Sequence, residues 1–223
     1  MIRLTSPGGA VPQYGLASSQ LERLKKAGLR CVVCVDTVAA SGGYMMAAVA
    51  DKIIAAPFSI VGSIGVVAGI PNFHRVLQKN EVDYHLFTAG KYKRTVTPFS
   101  KVTKEGKQKM QDDISAIHDA FKKVIKEGRP DVDIDEIATG EYWLASDAKE
   151  KGLVDEIMTS DDYLCGKIED WEVIEINTEV NQNRLEKLIE GGASLFRQWR
   201  NSKIPGAGAV SYTHLTLPTI YSV

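Results

Sequence analysis

The stretch Leu29–Tyr44, with the sequence LRCVVCVDTVAASGGY, joins a predicted strand to a predicted helix and decides the fold. Its first part, Leu29–Val35, is an apolar run of strand length that is rich in β-branched residues. A short helix is predicted over Ala40–Ala50 and opens at the turn Ser41-Gly42-Gly43. Another helix is predicted just upstream, over residues 14–27, with Tyr14, Ala17, Leu21 and Leu24 on one face. Helices therefore flank the strand on both sides in the sequence.

Strands and helices continue to alternate along the rest of the chain. Thr103–Glu127 carries the longest apolar helical stripe, and Gly128 with Pro130 ends it. The other predicted elements are strands over Ile53–Ala55, Ile60–Ile70 (with its turn), Val82–Phe87, Tyr142–Leu144 and Leu153–Ile157, and a helix over Asp147–Lys151. Alternating elements of these lengths predict an α/β fold with a largely parallel sheet and flanking helices.

The composition is that of a globular protein with nearly balanced charge. The 223 residues include 27 Lys and Arg against 28 Asp and Glu, which gives a net charge of −1, and 44% are hydrophobic. A generic nucleic-acid binder needs a clear basic excess, so no nucleic-acid partner is expected. The sequence contains no run of about 18 apolar residues and no basic stretch followed by an apolar one at its start, so neither a membrane span nor a signal peptide is predicted within it.

Both ends of the sequence are expected to be unnatural. Met1 is followed at once by the short strand Ile2-Arg3-Leu4, so we expect upstream sequence to be missing. Residues 183–200 form a charged amphipathic segment, and Val210–Thr219 resembles a translated sequencing adaptor. We therefore expect a core domain over residues 1–176, an amphipathic appendage over 177–205 and a non-native tail over 206–223.

Cys31 and Cys34 form a C-x-x-C motif inside the predicted strand, which leaves two interpretations. The pair can be a redox couple or half of a zinc site, or the two residues can pack as small hydrophobic side chains in a buried strand. No second Cys or His pair follows at zinc spacing. We favour the packing role and expect no metal.

Three glycine-rich turns carry serines, and each turn allows a catalytic or a purely structural interpretation. Ser41 lies at a strand-to-helix junction, where its hydroxyl can act as a nucleophile or as an ordinary helix cap. The turn Ser6-Pro7-Gly8-Gly9 can offer backbone N–H groups to a developing oxyanion, or can simply lead into the next helix. The third turn is Gly62-Ser63-Ile64-Gly65, in which a serine usually satisfies a backbone group.

A serine nucleophile requires a general base, and the sequence offers histidines and lysines. Three histidines have no triad context and are expected on the surface or on a helix face: His74, His85 and His118. Lys91 and Lys93 lie in the loop Gly90–Phe99, before the long helix. A lysine accepts a proton near pH 7 only when desolvation or nearby positive charge lowers its pKa, whereas a loop lysine is usually solvated.

Taken together and in order, these motifs resemble the S49 family of serine proteases. The motifs are S-P-G-G from Ser6, A-A-S-G-G-Y from Ala39, G-S-I-G-V from Gly62 and G-x-Y-K-x-x-x-x-P-F from Gly90. The ending K-G-L-V-D-E-I from Lys151 also matches. Over roughly residues 1–200 the sequence is similar to the signal peptide peptidase A proteins and, more closely, to the SohB proteases of this family. The resemblance implies a ClpP/crotonase-like α/β fold.

The resemblance also implies a role for each matched residue. Ser41 would be the nucleophile, and Lys93, 52 residues downstream, would be the general base. Ser63 would orient the lysine amine, and the backbone N–H groups of Gly8 and Gly42 would form the oxyanion hole. Lys91 falls outside the matched position and is expected to be a solvated neighbour.

The family implies a setting as well as a site. It implies peptide substrates with small or apolar side chains, no cofactor, and homo-oligomers in which the serine and the lysine meet within or between subunits. Complete relatives begin with a membrane anchor, which implies association of the full-length protein with the bacterial inner membrane. Residues 1–176 would then be a truncated S49 peptidase domain, which is expected to be soluble.

Two other functions remain open at the level of sequence. A crotonase-type acyl-CoA enzyme shares the glycine-rich oxyanion turns and the G-L-V-D ending, but it requires a catalytic carboxylate and does not require Ser41 with Lys93. An inactive scaffold of the same fold can bind membrane-protein partners through the same groove. The sequence contains no phosphate loop and no nucleotide fingerprint.

Overall fold

The structure is a computed structural model that describes residues 1–176. The chain divides into two units, Met1–Glu172 and Val173–Val223, and of the second unit only residues 173–176 are described, without regular structure. The predicted appendage over 177–205 and the predicted non-native tail over 206–223 lie outside the described residues.

The first unit alternates strands and helices along its length, as the sequence predicts. The strands are β1 (Ile2–Arg3), β2 (Val32–Val35), β3 (Val38–Ala40), β4 (Lys52–Ala55), β5 (Ile60–Gly62), β6 (Tyr142–Leu144) and β7 (Glu156–Ile157). The helices are α1 (Val11–Lys26), α2 (Gly42–Ala48), α3 (His74–Lys79), α4 (Lys104–Gly128), α5 (Ile134–Ile137), α6 (Ala145–Glu150) and α7 (Ser160–Cys165).

A parallel four-stranded sheet with the order β1-β2-β4-β7 forms the centre of this unit. In the two inner strands, β2 and β4, side chains on both faces of the sheet are buried. Val33 and Ile53 belong to one cluster, together with Tyr44 of α2 and Ile125 of α4, whereas Cys34 packs in a second cluster. Burial on both faces explains why β2 is a continuous apolar run rather than an alternating one.

A second, three-stranded sheet brings the serine turns together. β3 pairs with β5 in parallel, and β5 pairs with β6 in antiparallel orientation. In this register Ala40 lies opposite Gly62, so both parallel strands end at the same edge. The next residue of each strand is a serine, and Ser41 and Ser63 therefore follow neighbouring strand ends.

An ion pair between Arg129 and Asp155 ties the end of α4 to the chain that enters β7. Arg129 donates to both carboxylate oxygens of Asp155, at 2.7 and 2.9 Å, and to the carbonyl of Gly152. Asp155 also accepts the Ile53 N–H at 2.6 Å. Burial alone would raise the pKa of Asp155, but these hydrogen bonds lower it below its ordinary value.

The α/β prediction is confirmed, and most of the individual elements lie close to where they are predicted. The long helix begins after Thr103, whose side chain accepts the Gly106 N–H at 3.0 Å as an N-cap. Two predictions are wrong. Val82–Phe87 is not a strand, and of the buried strand and turn predicted over Ile60–Ile70 only Ile60–Gly62 is a strand. Within residues 1–176 no strand pairs with Val82–Phe87 or with the residues after Gly62, and Val67 and Phe87 are 93% and 91% exposed.

Candidate active site

Ser41 occupies a strained corner between β3 and α2. Its backbone has φ 52° and ψ −122°, a left-handed conformation that costs a non-glycine residue about 1–3 kcal/mol. The corner is held because the Ser41 N–H donates to the Gly62 carbonyl at 2.8 Å. The Ser41 side chain makes no capping hydrogen bond to the helix, so its hydroxyl is not used as an ordinary cap. A strained strand-to-helix serine of this kind is typical of nucleophile turns.

The Ser6–Gly9 turn lies directly against this corner. Ser6 forms an isolated parallel bridge with Ala39, and the Ala40 N–H donates to the Ser6 carbonyl at 3.0 Å. Gly8 has φ +97°, and a Cβ atom placed on it would lie 2.7 Å from the Ser41 Cβ and 3.0 Å from the Gly42 nitrogen. Only glycine permits this approach, so the fold brings Gly8, Ser41 and Gly42 together.

The Gly8 N–H is already engaged, which the sequence does not predict. It donates to the Ser6 Oγ at 3.2 Å. The Gly42 N–H lies in the first turn of α2, where backbone donors have no partner within the helix.

Ser63 follows β5 in a second left-handed conformation, with φ 51°. Its N–H donates to the Glu141 carbonyl at 2.6 Å, which fixes the turn against the start of β6. The Ser63 side chain is half-buried. Because Gly62 accepts the Ser41 N–H, Ser63 is covalently linked to the residue that holds the Ser41 backbone.

Lys93, the predicted general base, shares no hydrogen bond with these serines within residues 1–176. Lys93 is exposed and lies in the segment between β5 and α4. Among the described residues, the one regular element of that segment is α3. The Lys93 N–H donates to the Gly90 carbonyl at 3.1 Å. Within residues 1–176, no hydrogen bond joins the Lys93 Nζ to the hydroxyl of Ser41 or Ser63. The structure thus brings the serine turns of the candidate site together, and no hydrogen bond joins the predicted lysine to them within residues 1–176.

Lys91 is held in a different way from Lys93. Its Nζ lies 2.9 Å from a Glu105 carboxylate oxygen and 4.9 Å from the centre of the Tyr92 ring. The hydrogen bond to Glu105 raises the pKa of Lys91, so its amine stays protonated at neutral pH. These contacts suit the expected role of Lys91 as a charged surface neighbour and make it a poor general base.

The histidines and the buried cysteines contribute no reactive group to this corner. His85 is exposed, and the His118 Nε2 lies 3.3 Å from the Ile64 carbonyl rather than against a serine hydroxyl. Cys31 and Cys34 are free thiols in the buried strand. Burial, with the Asp36 charge, raises the pKa of Cys34 to about 11, which suits packing rather than thiol chemistry.

Tyr14 contacts the Gly8 turn beside Ser41, and the sequence did not predict this contact. The helical pattern of α1 indicates only that Tyr14 lies on an apolar helix face. Its hydroxyl donates to the Gly8 carbonyl at 2.9 Å. The available signal was chemical, because a partly buried tyrosine needs a hydrogen-bond partner for its hydroxyl. Two surface concavities of about 340 and 900 Å³ are lined by other parts of the chain and include none of Gly8, Ser41, Ser63 or Lys93.

A serine that is followed by two glycines in a strained strand-to-helix turn of an α/β fold is typical of serine hydrolases. Comparison with known proteins is more specific. The family model "Peptidase family S49" matches residues 23–172. The chain therefore belongs to peptidase family S49, and its largely parallel α/β fold with flanking helices agrees with the ClpP/crotonase-like fold that the sequence predicts.

Several bacterial proteins are similar to most of the chain. A Haemophilus influenzae protein described as "Probable protease SohB" is 51% identical over 187 residues, which are 84% of this chain and 53% of that protein. Proteins with the same description from Buchnera aphidicola of Acyrthosiphon pisum and of Schlechtendalia chinensis are 49% and 53% identical, over 84% and 75% of this chain and 56% and 55% of their own lengths. The chain thus spans about half the length of these curated relatives. Within residues 1–176, no helix is both long and apolar enough to cross a bilayer.

Proposed function

We propose that the protein is a serine endopeptidase that uses a Ser41–Lys93 dyad to cleave signal peptides or other membrane-associated apolar peptides. The observation that carries this proposal is the Ser41 corner. Its hydroxyl makes no capping hydrogen bond, its backbone is strained, and the absence of a side chain on Gly8 lets the Gly8 turn approach it closely. Membership of family S49 and the similarity to proteins described as SohB proteases support the same chemistry.

In the proposed reaction, the neutral Lys93 amine takes the Ser41 Oγ proton while Oγ bonds to the carbonyl carbon of the substrate. The tetrahedral intermediate then collapses, the C–N bond breaks, and the lysine ammonium returns a proton to the leaving amine. Water attacks the resulting acyl-enzyme ester while Lys93 accepts a proton from that water. The C–Oγ bond then breaks, and the lysine ammonium passes its proton to the Ser41 Oγ, which restores both groups. The Ser63 hydroxyl orients the amine throughout.

The proposed oxyanion donors are the backbone N–H groups of Gly42 and Gly8. The Gly8 N–H donates to the neutral Ser6 hydroxyl at 3.2 Å, a long hydrogen bond. An oxyanion is a stronger acceptor than a hydroxyl, so it can replace Ser6 as the partner of this N–H in the intermediate. Ser6 would then hold the donor in place between turnovers.

We further propose that Lys93 serves the Ser41 of a neighbouring copy in a homo-oligomer. Lys93 is exposed, and within residues 1–176 no hydrogen bond joins it to Ser41. Its segment exposes large apolar side chains, among them Val67 and Phe87, which an interface between copies would cover. A second copy that covers this segment would also desolvate the amine, which a lysine base requires.

Mixing two inactive variants tests the dyad and its subunit origin together. Ser41→Ala and Lys93→Ala are each expected to lose hydrolysis of a fluorogenic apolar peptide, whereas the matched control Lys91→Ala keeps it. If the dyad forms between copies, unfolding and refolding a one-to-one mixture of the two inactive chains restores part of the activity. A mixture that stays inactive, with assembly verified by sizing, would contradict the intersubunit arrangement. Activity that survives in either single variant would refute the proposed Ser41–Lys93 dyad.

The competing functions predict different results with the same proteins. A fluorophosphonate probe should label the wild type and not Ser41→Ala if Ser41 is an activated nucleophile. A crotonase-type enzyme would instead turn over an acyl-CoA thioester and keep that activity in Ser41→Ala. An inactive scaffold would assemble normally, with neither labelling nor hydrolysis.

A further inference from the structure

Two side-chain hydroxyls and the two backbone polar groups of Gly8 form a closed set of three hydrogen bonds beside the Ser41 corner. Tyr14 donates to the Gly8 carbonyl at 2.9 Å, and its oxygen lies 2.7 Å from the Ser6 Oγ. The Gly8 N–H donates to that same Oγ at 3.2 Å. Because the phenol has one proton, which Gly8 accepts, Ser6 must donate to the Tyr14 oxygen. Both backbone polar groups of Gly8 are therefore held by this pair of side chains.

The Tyr14 ring reaches the other half of the site as well. A Cβ atom placed on Gly42 would lie 2.4 Å from the Tyr14 Cγ, and one placed on Gly9 would lie 3.0 Å from its Cε2. One side chain from the first turn of α1 thus packs against the Gly8-Gly9 turn and against the start of α2. These two backbone segments are the ones that flank Ser41.

We propose that Tyr14 is a positioning residue, which holds the Gly8 peptide group at a fixed place relative to Gly42 and Ser41. The inference rests on the proposed function, since it concerns the oxyanion side of that site. Two consecutive glycines are conformationally free, so the turn needs an outside constraint to keep one geometry. The Gly8 N–H, the proposed oxyanion donor, is linked to Tyr14 through Ser6, whose Oγ accepts from this N–H and donates to the Tyr14 oxygen.

The expected effect lies in kcat rather than in KM. Loss of one oxyanion donor typically lowers kcat about 100- to 1000-fold, and a misplaced donor should cost less than a missing one. We expect Tyr14→Phe, which keeps the ring against Gly42, to lower kcat about 10- to 100-fold with KM changed less than about threefold. The pH dependence of the remaining rate should keep its shape because the general base is untouched.

The test compares Tyr14→Phe with a matched tyrosine in the full 223-residue chain. Tyr44 is buried, and its hydroxyl donates to the Leu153 carbonyl at 3.0 Å. Tyr44→Phe therefore removes a buried hydroxyl without touching the turn, and it should lower the thermal midpoint but not kcat. Ser6→Ala should act like Tyr14→Phe, and the double variant should be little worse than either single variant because all three bonds belong to one closed set. An unchanged kcat in Tyr14→Phe, or an equal loss in Tyr44→Phe, would overturn the proposal.

A second measurement judges Tyr14 independently of catalysis. Hydrogen–deuterium exchange over residues 5–10 should become at least about threefold faster in Tyr14→Phe and stay unchanged in Tyr44→Phe. If Ser41→Ala retains hydrolysis, the proposed function is wrong, and the exchange result still decides whether Tyr14 holds the turn. Unchanged exchange in Tyr14→Phe refutes the positioning role whatever the peptidase assay gives.

Discussion

Gly8→Ala gives the sharpest test of how the Ser41 corner is built. Gly8 has φ +97°, and an added Cβ would lie 2.7 Å from the Ser41 Cβ and 2.9 Å from the Ala40 carbonyl oxygen. The left-handed backbone costs alanine about 1–2 kcal/mol. Overpacking against buried backbone adds about 1–3 kcal/mol. We therefore expect the free energy of unfolding to fall by about 2–5 kcal/mol and Ser41 to be displaced.

Two other glycines provide matched controls for this substitution. Gly28 also has a positive φ, +84°, but an added Cβ there meets no atom within 4 Å, so Gly28→Ala should cost only the backbone strain. Gly15 lies inside α1 with no atom within 4 Å, and Gly15→Ala should stabilise the protein by about 0.5–1 kcal/mol.

Urea unfolding and the rate of fluorophosphonate labelling measure the two consequences separately. Gly8→Ala should lose more stability than Gly28→Ala and should label at least about tenfold more slowly. Gly28→Ala and Gly15→Ala should label at the wild-type rate. If Gly8→Ala matches Gly28→Ala in both stability and labelling, the close packing of Gly8 on Ser41 plays no part in the site, and the reasoning fails.

Two further predictions concern charge and pH. Peptide hydrolysis should rise with pH between about pH 6 and 9, since the active form needs a neutral Lys93 amine, and a flat rate profile would exclude Lys93 as the base. Arg129→Met should lower the free energy of unfolding at pH 7 by about 2–4 kcal/mol because it leaves a partly buried Asp155 carboxylate without its partner. The pKa of Asp155 is depressed in the folded state, so the ion pair stabilises the protein above the ordinary pKa of the carboxyl group and loses this effect as acid protonates the carboxylate. The free energies of unfolding of the two proteins, measured by urea titration, should therefore converge well below pH 4. A difference that stays constant with pH would contradict the ion-pair explanation.

Local chemistry explains which elements could be predicted from the sequence. The helix α4 has a 25-residue amphipathic pattern, an N-cap at Thr103 and a stop after Gly128, and each of these signals is contained within the segment. Val82–Phe87 alternates like a strand, but alternation only permits pairing and does not supply a neighbouring strand. The three-residue strand β3 was too short to separate from the turn before Ser41.

Some residues of the candidate site could be predicted from the sequence, and others could not. The glycine turns around Ser41 can be recognised in the sequence because a close approach of two backbones requires residues without a side chain. The order of the motifs along the chain then indicates the family. Tyr14 was interpreted only as part of an apolar helix face, since periodicity describes where a side chain points and says nothing about where its hydroxyl donates. Its contact with Gly8 depends on the angle at which α1 leaves the turn, which is a tertiary property.

The two halves of the proposed dyad differ in what holds them, and this difference bears on how the enzyme would work. Ser41 keeps a strained conformation because the Gly62 carbonyl, the Gly8 turn and the Tyr14 ring against Gly42 all constrain its corner within one chain. Among the described residues, the one hydrogen bond of Lys93 runs from its N–H to the Gly90 carbonyl, and its segment exposes apolar side chains to water. A nucleophile built into the fold and a base completed only by assembly would make peptide cleavage conditional on oligomerisation. The mixed-variant experiment addresses this point directly, because restored activity requires an intact serine from one chain and an intact lysine from the other.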